Sequence, residues 1–155
     1  MVSNTDFMEQ LNRYYSIWQE YNYMYEEWAK AHGMSVNNLL VLSAIHEGGK
    51  DCTQRKISQR WMIPKQTVNM ILKEFERKGL VELLPMQEDK RNKLIRFTPA
   101  GNEYADAIIS KLRKVELYVI EEMGIERMKQ VNDNVALFVE LFRKAGGNCS
   151  NEKDE

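Results

Sequence analysis

Apolar residues recur along the first part of the chain at alternating steps of three and four residues. They are Phe7, Leu11, Tyr14, Trp18, Tyr21, Tyr25 and Trp28. This spacing predicts a helix of roughly seven turns with an aromatic seam along one side. Most of the seam is expected to pack, and because so long a helix finds few contacts in a small chain, a partner helix is predicted. Asn4 or Thr5 can cap the start of the helix, and Gly33 ends it.

Three shorter helices are predicted in the next part of the chain. Ser35 caps the segment VNNLLVLSAIHE, and Gly48 stops it. Thr53 caps a short helix that runs to about Met62. Pro64 fits the first turn of a further helix over PKQTVNMILKEFERK, and the glycine just past that segment closes it.

Two strands and two long helices complete the pattern. The segments LVELL and LIRF predict strands, and PMQEDKRNK predicts the turn between them. Thr98 caps a fifth helix, Gly124 interrupts it, and a sixth helix carries apolar residues at steps of three and four. The chain is therefore predicted to be mainly α-helical with a small β-wing, in which two helices and the ribbon form a winged helix-turn-helix lobe.

The fourth predicted helix has two chemically different sides when its residues are placed at 100° intervals. The side predicted to be buried carries Val68, Ile71, Leu72 and Phe75. The opposite side is free of acids and carries Gln66, Asn69, Met70, Lys73 and Arg77. Such a side suits the major groove of DNA, where amides pair with adenine, Met70 contacts a thymine methyl group and the cations reach phosphates. Lys65 and Thr67, in the first turn, can also hold a phosphate.

Charge is distributed unevenly along a chain whose net charge is only −1. Residues 50–100 hold twelve Lys and Arg against six Asp and Glu, and both flanks are acidic. We interpret the hairpin as a DNA-binding wing, with Arg91 in a minor groove and Asp89 stiffening the tip. The other predicted DNA contacts of the ribbon and the third helix are Lys90, Lys93, Arg96, Thr53 and Arg55. Two alternatives stay open: a solvated helix face and a solubilising edge hairpin.

The segment KGLVELLPMQEDKRNKLIRFTPAG resembles the wing signature of the MarR (multiple-antibiotic-resistance regulator) family. That signature runs lysine-glycine-leucine-valine, a strand, aspartate-x-arginine, an alternating strand and threonine-x-x-glycine, and here it spans 78–101. Upstream, CTQRKISQRWMIPKQTVNMILKEFERKGL is similar to the family's third and fourth helices. Two positions depart from the family: 61–63 occupies a turn that is often leucine-glycine, and Pro64 replaces a small hydroxyl or acidic residue.

The resemblance implies a homodimer in which the first, fifth and sixth helices interlock. It implies an N-terminal dimerisation helix over 1–34, a winged helix-turn-helix lobe over 35–100 and C-terminal dimerisation helices over 101–147. Residues 148–155 are expected to form a disordered tail. The resemblance also implies a small aromatic or lipophilic effector between the dimer helices and the DNA lobe, where Tyr14, Trp18 and His46 are candidate contacts.

Other features narrow the class of protein. Residues 1–20 lack the apolar run of a signal peptide, and no window approaches the roughly 20 apolar residues of a membrane span, so we expect a cytoplasmic protein. Cys52 and Cys149 form no disulfide framework. Cys52 precedes a helix cap, where a thiolate is favoured, so a redox switch stays an alternative. Because no phosphate-binding glycine loop, metal-ligand spacing or nucleophile motif occurs, we expect neither catalysis nor a cofactor.

The leading hypothesis is a transcriptional regulator that binds a specific sequence of double-stranded DNA. It is expected to be a repressor that acts as a homodimer on an inverted-repeat operator and is released by a small molecule. The alternative is a protein-interaction scaffold that keeps the fold without DNA binding. The acid-free side of the fourth helix favours the regulator, because a scaffold has no reason to keep acids away from it.

Overall fold

The computed structural model describes residues 3–88 and 92–146. The chain divides into two compact units, Met1–Ile109 and Ser110–Glu155. The described part is mainly helical and contains one two-stranded antiparallel sheet, as the apolar pattern predicts. No helix in this part of the chain is both long enough and apolar enough to cross a membrane.

The first helix, α1 (Asn4–Ala31), begins one residue earlier than either predicted cap allows. Ser3 is the cap: its Oγ accepts a hydrogen bond from the backbone N–H of Asp6 at 3.2 Å, and its own N–H donates to the Asp6 carboxylate at 2.8 Å. The prediction of Asn4 or Thr5 is therefore wrong. The same backbone hydrogen bond from Ser3 is the main cause that lowers the pKa of Asp6.

Most of the aromatic seam of α1 is exposed within the chain, so its packing against a partner helix stays a prediction. Trp18 and Tyr21 are 57% and 56% exposed, and Ala29 is the buried residue of the helix. Ala29 lies near the C-terminal end of the helix, where Trp28 stacks on the C-cap residue His32 with ring centroids 3.8 Å apart. The periodicity of the seam thus marks a surface that the chain itself does not cover.

Three helices follow in the order that the sequence predicts. They are α2 (Val36–Gly48), α3 (Gln54–Trp61) and α4 (Lys65–Arg77), with a short 3-10 turn at Gly49–Asp51. Ser35 and Thr53 cap α2 and α3, because each side-chain oxygen accepts a hydrogen bond from the third backbone N–H of its helix, as predicted. Pro64 lies one residue earlier than predicted, at the N-cap of α4. Gly79 has φ +72°, the left-handed conformation expected just past a helix end.

The two strands form the predicted ribbon. Strand β1 (Val81–Pro85) pairs with β2 (Lys93–Phe97) so that Val81 lies opposite Phe97 and Pro85 opposite Lys93. The second edge of β2 is also occupied, because the N–H of Ile95 donates to the carbonyl of Cys52 at 2.9 Å. The ribbon is therefore fastened along its base to the segment that precedes α3.

The core of this unit lies between the helices and the base of the ribbon. Its largest fully buried side chains are Leu39, Leu42, Ile45, Ile57, Leu72 and Ile95. Members of α2, α3, α4 and β2 thus share one apolar interior. This interior fixes the outward side of α4, because that helix buries its apolar side and must turn the other to solvent.

The helix α5 (Pro99–Met123) begins in the first unit at a tight junction with the ribbon. Thr98 Oγ1 donates to the carbonyl of Gly79 at 2.6 Å and accepts from the N–H of Gly101 at 3.0 Å. A methyl group on Gly101 would overlap the backbone carbonyl of Leu80, so only glycine fits there. The threonine-x-x-glycine element of the sequence is thus a helix cap combined with a close backbone approach.

The second unit contains the rest of α5 and the helix α6 (Ile125–Gly146). The break at Gly124 is confirmed, and its φ of +84° requires glycine. No residue of α6 is buried. Within this unit, exposed apolar side chains include Val115, Val119, Val131, Val135, Phe138 and Phe142.

Candidate nucleic-acid interface

The helix α4 has the two sides that its sequence predicts. Val68, Ile71, Leu72 and Phe75 are at most 6% exposed. The exposed residues on the opposite side are Gln66, Met70, Lys73 and Arg77, and Lys65 is exposed at the start of the helix. Thr67 and Asn69 are half-buried, at the two margins of this side. The centre of the surface therefore offers one amide, one apolar tip and two cations.

Two acidic residues flank this surface in helical projection: Glu74 is paired, and Glu76 is exposed. Glu74 lies at one margin, and Lys78 Nζ is 2.6 Å from its Oε1. The hydrogen bond from Lys78 is the main cause that lowers the pKa of Glu74, so the carboxylate stays ionised and paired. Because its charge is already balanced, Glu74 repels an approaching polyanion less than a lone carboxylate does.

The start of α4 is held by α3, through residues that the sequence patterns did not single out. Gln54 Nε2 donates to the backbone carbonyl of Lys65 at 2.9 Å. Ser58 Oγ donates to the carbonyl of Ile63 at 2.6 Å across the turn between the helices. Polar side chains on a helix give no sequence signal for such bonds, because their partners are backbone carbonyls outside that helix. These two bonds orient the helix that presents the surface.

The turn itself differs from the leucine-glycine of the family, as the sequence indicates. Met62 adopts φ +52°, a left-handed conformation that is unusual for a residue with a side chain, and it is 84% exposed. Its backbone closes the end of α3 in the place where glycine is usual. The turn therefore keeps the expected geometry, with some strain at Met62.

Two predicted DNA contacts have other surroundings in the structure. Thr53 is only 5% exposed, and its Oγ1 accepts from the N–H of Lys56 at 3.3 Å, so it serves as the cap of α3. We remove Thr53 from the candidate surface, because a buried hydroxyl that already caps a helix has no access to DNA. Arg96 is exposed but lies at the base of the ribbon, three residues from Lys93 along β2. Three residues of strand span roughly 10 Å, so Arg96 is well separated from the turn end of the ribbon.

The remaining residues of the predicted DNA surface fall into two groups. Arg55 on α3 and Lys93 at the turn end of β2 are exposed. Asp89, Lys90 and Arg91, on which the predicted minor-groove contact and the stiff tip depend, lie outside the described residues. Those three assignments stay predictions from the sequence.

The structure contradicts a reactive thiolate at Cys52. The side chain is 1% exposed, and burial raises the pKa of its thiol to about 11. Its Sγ lies 3.9 Å from the carbonyl of Ala44, to which the thiol donates a weak hydrogen bond. The position before a helix cap suggested a stabilised thiolate, but desolvation outweighs that effect because the thiol lies inside the core. Cys149 lies outside the described residues.

The predicted effector contacts are not gathered into one site within the chain. Tyr14 and Trp18 lie on the exposed seam of α1 and are 36% and 57% exposed. His46 is in the last turn of α2, as predicted, and its Nε2 is 3.0 Å from the carboxylate of Asp106 on α5.

Comparisons with known proteins agree with this geometry. Residues 32–92 match the sequence model of the MarR family. An uncharacterised HTH-type transcriptional regulator of Staphylococcus aureus (strain Mu50) is 26% identical over 119 residues, which cover 77% of this chain and 81% of the relative. Over these residues the chain is similar to the MarR family. Proteins of this family are transcriptional regulators and not enzymes.

Solved structures show the same fold. A MarR family regulator from Neisseria meningitidis superposes with a TM-score of 0.79 at 23% identity, over 90% of this chain and 97% of that one. A DNA complex of S. aureus MepR gives 0.72 at 20% identity, over 82% and 96%. S. aureus MarR in complex with salicylate and kanamycin gives 0.68 at 23% identity, over 91% and 95%.

Proposed function

We propose that this protein binds double-stranded DNA through α4 and the ribbon. The observation that carries the proposal is the outward side of α4, where Gln66, Met70, Lys73 and Arg77 are exposed and Glu74, at one margin, is paired with Lys78. A helix with this side fits the width of the major groove of B-DNA. The structurally similar S. aureus MepR is solved in complex with DNA, which supports DNA binding by a protein of this fold.

Each side chain of this surface has a role in the proposal. Gln66 and Asn69 carry amides that can pair with the edge of an adenine, and Met70 can contact a thymine methyl group. The cations that neutralise phosphates are Lys65, Lys73, Arg77, Arg55 and Lys93. Thr67 can donate its hydroxyl to a phosphate near the start of the helix. Amides would thus select the sequence, and cations would supply most of the affinity.

We further infer a homodimer, because two separate parts of the chain expose large apolar surfaces. In the first unit, α1 exposes Phe7, Trp18 and Tyr21; in the second, α6 exposes Val135 and Phe142. Soluble monomers rarely leave such extended apolar surfaces in water. A second copy is the natural cover, so 1–34 and 101–147 act as dimerisation helices and 35–100 acts as the DNA-binding lobe.

A two-fold symmetric dimer would place its two α4 helices roughly 34–36 Å apart, which is one turn of DNA. The operator in this proposal is therefore an inverted repeat. A dimer bound there would exclude other proteins from the same stretch of duplex, which favours repression as the mode of regulation.

A small molecule would release the repressor by stabilising a dimer whose two α4 helices are no longer one turn apart. The S. aureus MarR complex with salicylate and kanamycin supports a small-molecule effector. The exposed aromatic side chains of Tyr14 and Trp18 are suited to stack on such a ligand.

Fluorescence anisotropy with a random-sequence duplex at two salt concentrations tests the proposal. We expect micromolar binding at low salt that weakens steeply as salt rises, because phosphate contacts release counterions. The double substitution Lys73→Gln and Arg77→Gln removes two predicted phosphate contacts, so the slope of log K against log salt should fall by roughly 1.8.

Lys114→Gln, which removes an exposed cation from α5 in the second unit, is the matched control and should leave the slope unchanged. If the wild-type protein binds no duplex at low salt but remains a folded dimer, the scaffold alternative is correct. If the double variant binds like the wild type, DNA binding lies elsewhere on the protein.

A further inference from the structure

The two most exposed methionines in the described part of the chain lie in α4 and in the turn before it. Met62 in the turn is 84% exposed, and Met70 on the outward side of α4 is 71% exposed. Met8 and Met24 on α1 are less exposed, and the other methionines whose exposure is described are half-buried. Two thioethers of this lobe are therefore open to reagents in solution, and one of them lies in the surface assigned to DNA.

The cysteine of the first unit is shielded from the same reagents. The thiol of Cys52 is 1% exposed, and its raised pKa keeps it protonated at neutral pH. Because a thiol reacts with peroxides as the thiolate, Cys52 offers neither access nor the reactive form. A thioether has no proton to lose before it reacts, so exposure controls its oxidation by a hydroperoxide. Oxidation of this unit should therefore begin at methionine and not at cysteine.

Met70 occupies the centre of the outward side of α4. Gln66 lies four residues before it and Lys73 three residues after it, spacings at which side chains are neighbours on a helix surface. In the proposed complex, the apolar tip of Met70 contacts a thymine methyl group. An oxygen atom on the sulfur converts this tip into a polar sulfoxide that accepts hydrogen bonds. Against a methyl group the sulfoxide oxygen loses its water without gaining a partner, which opposes binding.

We propose that Met70 is a site of reversible oxidation that controls DNA binding. The inference rests on the proposed function, because it requires α4 to lie in the groove. A lone pair of the thioether sulfur attacks the hydroxyl oxygen of a hydroperoxide, and the S–O bond forms as the O–O bond breaks. The sulfur loses two electrons and the peroxide gains them. The departing oxygen takes up the hydroxyl proton and leaves as an alcohol, or as water when the oxidant is hydrogen peroxide.

Treatment of the full chain with hydrogen peroxide tests the site. The untreated protein first selects a duplex from a random-sequence pool, and fluorescence anisotropy gives the dissociation constant for that duplex before and after treatment. We expect oxidation to weaken binding by about tenfold, because a desolvated polar group without a partner then faces the base. Mass spectrometry of the peptide that contains Met70 should show one added oxygen atom. Methionine sulfoxide reductases A and B together should restore the affinity, since each reduces one epimer of the sulfoxide.

Two variants locate the effect. Met70→Leu keeps an apolar tip without a sulfur atom, so its dissociation constant, whatever its untreated value, should not change on treatment. Met62→Leu is the matched control, because it removes the other highly exposed thioether and should keep the loss of affinity seen in the wild type.

Three results would overturn the proposal: an unmodified Met70 in the treated protein, unchanged affinity in protein oxidised at Met70, or the same loss of affinity in treated Met70→Leu as in the wild type. The proposed function has a separate readout. If the untreated wild-type protein selects no duplex, sequence-specific DNA binding is itself wrong, and the inference about Met70 is wrong with it.

Discussion

The helices α4 and α6 are both amphipathic, yet their apolar sides have opposite surroundings. In α4, Val68 and Leu72 are at most 2% exposed because α2, α3 and the ribbon cover them. In α6, Val135 and Phe142 are 49% and 71% exposed, and no residue of the helix is buried. The same periodicity therefore marks an intramolecular core in one helix and a side that the chain does not cover in the other. Sequence periodicity identifies which side is apolar but does not identify what covers it.

The largest effect is expected from a substitution in the exposed apolar side of α6. Val135→Glu places a charge in the middle of the exposed seam, and we expect the dimer to weaken by three orders of magnitude or more, because an unpaired charge in an apolar interface costs roughly 4 kcal/mol. Sedimentation equilibrium measures the dissociation constant.

Gln130→Glu adds the same charge to α6 away from the seam and is the matched control. If both variants dimerise like the wild type, the seam of α6 is not the dimer interface. The exposed apolar side of α6 would then have no role in association.

A second test is directed at the junction between the ribbon and the start of α5 in the first unit. Gly101→Ala forces a methyl group into the backbone of Leu80, and we expect the free energy of unfolding to fall by roughly 2–4 kcal/mol. Urea denaturation followed by circular dichroism measures it. Gly146→Ala is the control, since a methyl group there meets no atom within 4 Å. Equal stability of the two variants would show that the junction can relax.

A third test uses the buried thiol of the same unit. The folded pKa of Cys52 is raised to about 11 from an ordinary value of 9.0, so the unfolded chain loses its proton first as pH rises. The stabilisation is complete below pH 9 and is lost as pH rises from 9 to 11. Denaturation at several pH values should show this loss in a Cys149→Ser background. The loss should shrink when Cys52→Ala is added, and an unchanged pH profile would contradict burial of the thiol.

A fourth test is directed at the polar side of α4. Asn69→Ala should lower discrimination at one base pair of the operator by about 1–3 kcal/mol, since a bidentate amide contact to adenine is lost. Binding to a set of single-base operator variants measures the discrimination. Lys73→Gln should instead weaken binding to every sequence to a similar extent. Discrimination that persists in Asn69→Ala would assign the base contact to another residue, such as Gln66.

The smallest expected effect is at the turn between α3 and α4. Met62→Gly relieves a left-handed backbone conformation, and we expect a gain of about 0.5–1 kcal/mol in the free energy of unfolding after the greater flexibility of the unfolded chain is included. Thermal denaturation measures the gain. Met70→Gly, an exposed methionine inside α4, should instead destabilise the protein by about 1 kcal/mol. A loss of stability in both variants would mean that the Met62 side chain makes a favourable contact.

Several local features followed from sequence because neighbouring residues decide them. Ser35 and Thr53 cap their helices, and Gly79 and Gly124 adopt the left-handed conformations that their positions require. The prediction for the start of α1 failed by one residue, because Ser3 and Asp6 form a reciprocal pair that competes with the nearby caps. Such choices depend on small energy differences between adjacent polar residues.

The environments of several other side chains were decided by residues from other parts of the chain. Cys52 has the sequence context of a reactive thiolate, but burial within the first unit raises its pKa. Arg96 belongs to the basic run of the ribbon, but strand pairing puts it beside Lys50 and His46 at the base. Gln54 gave no signal, and yet it ties α3 to the start of α4.

The sequence by itself determined the order of the helices, the wing and the chemical character of each helix side, because hydrophobic period and capping are local properties. Only the tertiary structure decided which apolar sides are covered within the chain, which cations line a cavity and which polar groups are buried. Those outcomes depend on desolvation and on contacts between residues far apart along the chain, and neither can be read from the spacing of residues.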